Sequence, residues 1–187
     1  MKYFCGLLLV GLMLSCSGEN ETTGANNSIE LTDTVSNGII EYDLNKDRIS
    51  AVDYSNELSL IQQHVYDQIN VLFLSDPTTV KQNYDNAVFD IELKSKDVEN
   101  MATYEGGHSF QAAVANLLQF YKDELKTGFA KMLPLLEKET EERSRDEEYK
   151  LIDYDEQFAI NEADFFNVIA VEQEKFAQAN NFKTQEL

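Results

Sequence analysis

Apolar residues recur at intervals of three and four along most of this chain, the period that puts side chains on one face of an α-helix. Tyr54, Leu58, Ile61, Val65, Ile69 and Leu72 form a first stripe. Ser75-Asp76-Pro77 follows, supplying a stop, a cap and a proline at the first position of the next helix. A second stripe runs through Val80, Tyr84, Ala87/Val88, Ile91, Val98 and Ala102 and is ended by Gly106-Gly107. With Ser109 as its cap, a third holds Phe110, Val114, Leu117, Tyr121, Leu125, Gly128, Met132 and Leu135. The fourth helix starts at Ser144, because Ser144-Arg145-Asp146-Glu147 has the spacing of a capping box. Its stripe is Ile152, Ala159, Ala163, Phe166, Ala170 and Ala177, widened by Phe165, Ile169 and Phe176.

Breakers are scarce where the stripes lie. Beyond Asn45 there are three glycines, Gly106, Gly107 and Gly128, and two prolines, Pro77 and Pro134. Four helices of about 25–30 residues, each about 40 Å long and joined by short turns, predict an all-α fold, an antiparallel up-down-up-down four-helix bundle. Small residues at Gly128, Ala159, Ala163, Ala170 and Ala177 favour a close approach of the third and fourth helices. Pro134 removes a bond to the Ala130 carbonyl and predicts a kink.

The first 44 residues follow other rules. Lys2 precedes an apolar run from Phe4 to Leu14, and Ser15-Cys16 follows at once. A basic head, a short apolar segment and a small residue before the cut make a secretory signal peptide, residues 1–15. Cysteine directly after the cut resembles a bacterial lipoprotein signal, which implies that Cys16 carries fatty-acyl chains of the palmitate kind. The run is about eleven residues, short of the ~20 that a spanning helix needs. The expectation is anchorage by lipid to the outer membrane, facing the periplasm or the cell surface. Cys5 leaves with the signal, so no disulfide staples the mature chain. Residues 16–44 are rich in Ser, Thr, Asn, Gly and Glu and bury too little to offset their ordering entropy. They read as a disordered tether spanning on the order of 30 Å, ahead of a helical domain at 45–187.

Charge narrows the partners. The chain has 34 acidic and 15 basic residues, a net −19; loss of Lys2 leaves 14 basic residues and a net −20. Nucleic acid and anionic lipid surfaces both call for basic patches, so neither is an expected partner. Such a charge reads first as a solvated surface; the sharper reading is a docking face for a cationic partner such as a basic toxin, a peptide or calcium.

In the C-terminal half, Phe110-Gln-Ala-Ala, Gln119-Phe120-Tyr121-Lys122 and Glu174-Lys175-Phe176-Ala177-Gln178-Ala179-Asn180-Asn181-Phe182 resemble a family of uncharacterised four-helix-bundle surface lipoproteins of Bacteroidetes and spirochaetes. The resemblance covers roughly residues 50 to 182 and rests on packing and helix-end motifs. It implies the bundle and the anchor, and no reaction. Exported proteins of Bacteroidetes type carry O-glycans at Asp-Ser/Thr followed by a small apolar residue; Asp33-Thr34-Val35 matches, which makes Thr34 a candidate modification site.

Chemistry-bearing motifs are few. Di-iron bundles need two helical Glu-x-x-His pairs; Glu105-Gly106-Gly107-His108 has the letters, but its glycines place it in a turn, and His64 beside Val65 reads as a boundary residue. Two histidines are too few for a zinc hydrolase. Asp43, Asn45 and Asp47, with Asp53 at the far end, resemble a calcium loop of the EF-hand kind that lacks its glycine; the competing reading is a polar turn into a helix capped by Ser50 or Asp53. The acidic run Glu137–Glu148 reads as a solvated turn. With no nucleophile elbow or phosphate loop either, the expected function is a non-enzymatic envelope protein with no cofactor, an interaction or accessory module. The alternatives are an immunity protein or inhibitor of a basic toxin or hydrolase, and a carrier of a small ligand or calcium.

Overall fold

The computed structural model describes residues 49–184, and among them every regular element is helical, with no strand. Four helical rods account for nearly all of it. The first is α1 (Ala51–Phe73) and the second α2 (Val80–Asn100). The third comprises α3 (His108–Glu124), a π turn (Leu125–Phe129) and α4 (Ala130–Leu136). A 3-10 turn (Thr140–Glu142) leads to the fourth, α5 (Arg145–Ala179), which at 35 residues is the longest.

The first stripe holds in full: Tyr54, Leu58, Ile61, Val65, Ile69 and Leu72 are all buried. Ser50 caps α1, its hydroxyl accepting the Asp53 N–H at 3.0 Å. Entry into α2 is more gradual than the Ser75-Asp76-Pro77 motif suggests. The regular helix starts at Val80, although the Asp76 carbonyl already accepts the N–H groups of Thr79 and Val80 at 2.9 Å. It also stops at Asn100, so Ala102 lies in the loop, exposed. Gly106, at a φ of +75°, makes the turn before α3 in a region that other residues rarely adopt. Gly107, not Ser109, occupies the cap position of α3.

The third rod changes register in its middle. Beyond Leu125 the core is filled by Phe129 and Leu133, while the expected Gly128, Met132 and Leu135 are partly exposed. The π turn takes up one more residue than an α turn, so each later side chain reaches the core one position late. Gly128 instead lies against Tyr154 of α5: a Cβ there would stand 2.6 Å from the ring. Only a glycine lets the ring approach so closely.

α5 carries the largest correction. Ile152 is 54% exposed, and Ala159, Ala163, Phe166 and Ala170 lie at the edge of the buried face. The buried line is Phe158, Glu162, Ile169, Gln173 and Phe176, with Ala177 alongside. Phe158 meets Phe73 of α1 and Phe120 and Tyr121 of α3, at ring separations of 4.9, 5.3 and 6.1 Å. Phe176 meets Tyr54, Tyr104 and Phe110 at 5.4, 5.7 and 6.1 Å. These aromatic contacts close α1 and α3 onto α5.

Both ends of α5 are fixed by local bonds. The capping box is complete: the Ser144 hydroxyl accepts the Glu147 N–H, and the Glu147 carboxylate accepts the Ser144 N–H at 2.9 Å. Arg143 donates to the Leu135, Leu136 and Lys138 carbonyls, tying the end of α4 to the same turn. At the far end Asn181 adopts a left-handed φ of 57°. The Phe182 N–H bonds the Ala177 carbonyl, the Asn181 N–H bonds the Gln178 carbonyl, and Phe182 packs on Phe176. Those are the bonds and the apolar contact of a Schellman stop.

The register of the third rod is tested by paired truncations. Phe129→Ala should cost about 3–5 kcal/mol in denaturant unfolding, as for a buried aromatic. Met132→Ala should cost much less; equal costs would place the π turn elsewhere.

The cap of α5 gives a pH prediction. The Lys138 ammonium, with the Ser144 N–H and hydroxyl, holds the Glu147 carboxyl down to about 2. A depressed carboxyl supplies stability that is present above its unfolded value and lost as pH falls through its folded value. Protection of the amides at the start of α5, taken relative to their intrinsic exchange rate at each pH, should therefore fall between about pH 4.5 and 2, and Ser144→Ala, at a cost of about 1 kcal/mol, should lower the same protection at neutral pH.

Candidate functional site

Polar side chains inside the rods mark the first place to look for chemistry. The most enclosed is the pair between α3 and α5, where the Tyr121 hydroxyl donates to Glu162 Oε1 at 2.6 Å. Tyr121 is wholly buried, and Glu162 is 7% exposed. Burial pushes the Glu162 carboxyl above its ordinary value; the Tyr121 hydrogen bond pulls it partly back, and the nearby Asp155 charge pushes it up again. Burial, and then the Glu162 charge, raise Tyr121 well above an ordinary phenol. Two groups that both resist ionisation, joined by one short bond, form a structural tie.

Two other networks follow the same logic. Gln173 of α5 donates to the Ser55 and Ser59 hydroxyls of α1 at 3.1 and 3.0 Å. Gln111 of α3 donates to the Val98 and Met101 carbonyls and accepts from Tyr54 and Thr103, fastening the end of α2 to the start of α1. Among the described residues every fully buried side-chain nitrogen or oxygen has a partner.

Outside the core, an open groove of about 870 Å³ lies between α1 and the end of α2. Ile61, Met101 and Tyr104 line it together with Leu60, His64 and Lys94. The Lys94 ammonium is engaged by Asp97 at 2.8 Å, and His64 stands 3.8 Å from Asp90. The groove offers apolar surface with a polar rim; its size falls in the range of small-ligand pockets, about 300–1,000 Å³.

Cys16, Thr34, Asp43, Asn45 and Asp47 lie outside the described residues. Asp53 sits in the first turn of α1, and its carboxylate accepts the Ser50 hydroxyl at 2.7 Å. Among the described residues, no group of three or more His, Cys, Asp or Glu is disposed to hold a metal ion, and no helix is long and apolar enough to cross a membrane. His108 opens α3 directly after the Gly106-Gly107 turn, while His64 lies on the exposed side of α1. The acidic run between α4 and α5 is mostly exposed, with Glu147 drawn into the cap and bonded to Lys138 at 2.6 Å. No protein-family profile, curated protein or solved structure matches this chain.

Glu162, Gln173, Ser55 and Ser59 were not singled out by the sequence, although a signal for the first two existed. Residues 158, 162, 165, 169, 173 and 176 keep the spacing of three and four more regularly than the alanine stripe does. Their polar members concealed it.

Glu162→Gln tests the central pair. A raised carboxyl contributes stability at low pH that is lost as pH rises from its unfolded toward its folded value. Glutamine keeps an acceptor for Tyr121 and carries no charge, so the variant should melt higher than wild type at pH 7, with the gap closing below about pH 4. Tyr121→Phe leaves Glu162 without its donor and should cost about 1–3 kcal/mol.

Proposed function

We propose that this chain is a lipid-anchored, non-enzymatic interaction or accessory module of the bacterial cell envelope, related to the four-helix-bundle surface lipoproteins that its C-terminal half resembles. The Phe4–Leu14 run ending at Leu14-Ser15-Cys16 carries the proposal, because its order fits a lipoprotein signal and its length is too short to span a bilayer. Cys16 is the lipidated residue, residues 16–44 form the tether with Thr34 as an O-glycan acceptor, and the body is held off the outer membrane. The rods are read as an antiparallel up-down-up-down bundle. The pairing of residues supports this: Tyr54 with Phe176 and Phe73 with Phe158 run in opposite senses along α1 and α5, as do Phe110 with Phe176 and Tyr121 with Glu162 along α3 and α5.

The distribution of charge favours a second reading, an immunity protein or inhibitor that neutralises a basic partner. Residues 151–174 contain seven acids, Asp153, Asp155, Glu156, Glu162, Asp164, Glu172 and Glu174, and no lysine or arginine. The open groove beside α1 is what supports a small-ligand carrier instead.

Anchoring is tested in a bacterial envelope. The wild-type chain should partition with membranes and incorporate labelled fatty acid, while Cys16→Ala should do neither. Unlabelled, soluble wild-type protein would remove the lipoprotein reading.

A further inference from the structure

The outward face of α5 has apolar side chains where an ordinary amphipathic helix would have polar ones. Ile160, Val168 and Val171 are 59%, 52% and 53% exposed, and Tyr149 and Ile152 at the start of the helix are each 54% exposed. Tyr149, Ile160 and Val171 are spaced by eleven residues, three turns and about 20°, so they lie almost on one line roughly 33 Å long. Asp153, Glu156, Asp164 and Glu174 project from the same side, and all four are exposed. The basic residues of α5 are three: Arg145 is held on the Tyr149 ring at 5.3 Å, Lys150 is exposed beside Tyr149, and Lys175 bonds Glu172 at 2.6 Å. Among the described residues no ion pair involves residues 151–171.

We propose that this face of α5 docks a basic amphipathic helix, its apolar side laid along Ile160, Val168 and Val171 and its lysines or arginines reaching Asp153, Glu156, Asp164 and Glu174. Charge selects the occupant. A second copy of the same face would set four carboxylates against four, which is repulsive. An anionic lipid surface is disfavoured for the same reason. An apolar strip flanked by Asp153, Glu156 and Asp164, which form no ion pair among the described residues, and by Glu174, whose oxygens accept from the neutral Gln178 and Thr184 at 2.8 Å, complements a helix with alternating apolar and basic faces. Exposed apolar residues scattered singly are ordinary on a protein surface; here three lie within twelve positions of one helix, inside a stretch without a basic residue.

The inference rests on the interaction-module reading but is tested apart from it. The full chain is placed in zwitterionic lipid nanodiscs, with empty discs as the blank, and titrated with a labelled 18-residue leucine-lysine amphipathic helix. The controls are a composition-matched scramble and an oligolysine of equal charge. The helix should bind at least about tenfold more tightly than either control. Ile160→Glu/Val171→Glu and, separately, Glu156→Lys/Asp164→Lys should each weaken it about tenfold or more, with the melting temperature retained. Phe89→Glu/Leu93→Glu, on α2, should leave it unchanged. Equal affinity for helix and oligolysine, equal loss from the α2 variant, or no binding by wild type would overturn the docking face, and membrane partition of the Cys16-bearing chain would still stand. Sedimentation that shows a dimer abolished by Ile160→Glu would overturn it in favour of a second copy.

Discussion

Two phenylalanines on α5, Phe158 and Phe176, fasten that helix to α1 and α3. They stand eighteen residues apart, five full turns and about 27 Å, so they share a face without drift. Each collects rings from other elements: Phe158 those of Phe73, Phe120 and Tyr121, Phe176 those of Tyr54, Tyr104 and Phe110. Buried aromatic pairs supply large apolar area and an added geometric preference of about 0.5–1.5 kcal/mol each.

Aromatic contact is forgiving about sliding along a helix, and the polar residues between the nodes are not. Gln173 reaches two serines one turn apart on α1, and Glu162 reaches a single hydroxyl on α3. A shift of one turn would leave a buried carboxylate and a buried amide without partners, at a cost of about 1–3 kcal/mol each or more for the charge. Stability comes from the rings, and axial register from the hydrogen bonds. Glu162 is an expensive way to fix register, because burial works against its ionised form, and Gln173 does the same work without a charge.

How much of this the sequence reveals depends on whether a buried position is filled by an apolar residue. α1 could be read completely, since all six members of its stripe are aliphatic or aromatic. The start of α5 was equally plain, because Ser144 and Glu147 close a local box that needs nothing from the rest of the fold. Ile169, Phe176 and Ala177 of its expected stripe are buried, while Ala159, Ala163 and Ala170 lie one residue off the core line because Glu162 and Gln173 occupy core positions, and their reason for being there lies on α3 and α1, at sequence separations of 41 and more than 110 residues. The π turn was hidden for a related cause. Nothing local in Leu125–Phe129 demands the extra residue, whereas the contact of Gly128 with Tyr154 and the bond from the Tyr84 hydroxyl to the Leu125 carbonyl, 3.0 Å, depend on two other rods. Of the candidate site residues only Asp53 falls within the described part of the chain, and there it belongs to the cap of α1.

The contrast between the rods also bears on what the exterior is for. On α2, Lys81 pairs with Asp85 and Lys94 with Asp97, the i,i+4 and i,i+3 pairs that ease an acidic surface. α5 forgoes them over the whole stretch from Asp153 to Val171, while Asp153 and Glu156, three residues apart, repel. Like-charged neighbours on a helix cost about 0.2–0.5 kcal/mol per pair, and large apolar side chains held in water add no stability to the isolated fold. Neither feature is required by the core, since Phe158, Glu162, Ile169, Gln173 and Phe176 all point the other way. The inner face of α5 does not call for isoleucine, valine and acids without ion pairs on its outer face, although exposed apolar side chains also occur elsewhere, at Leu60 of α1 and Phe89 of α2. That face is the surface on which the proposed docking of a basic amphipathic helix rests.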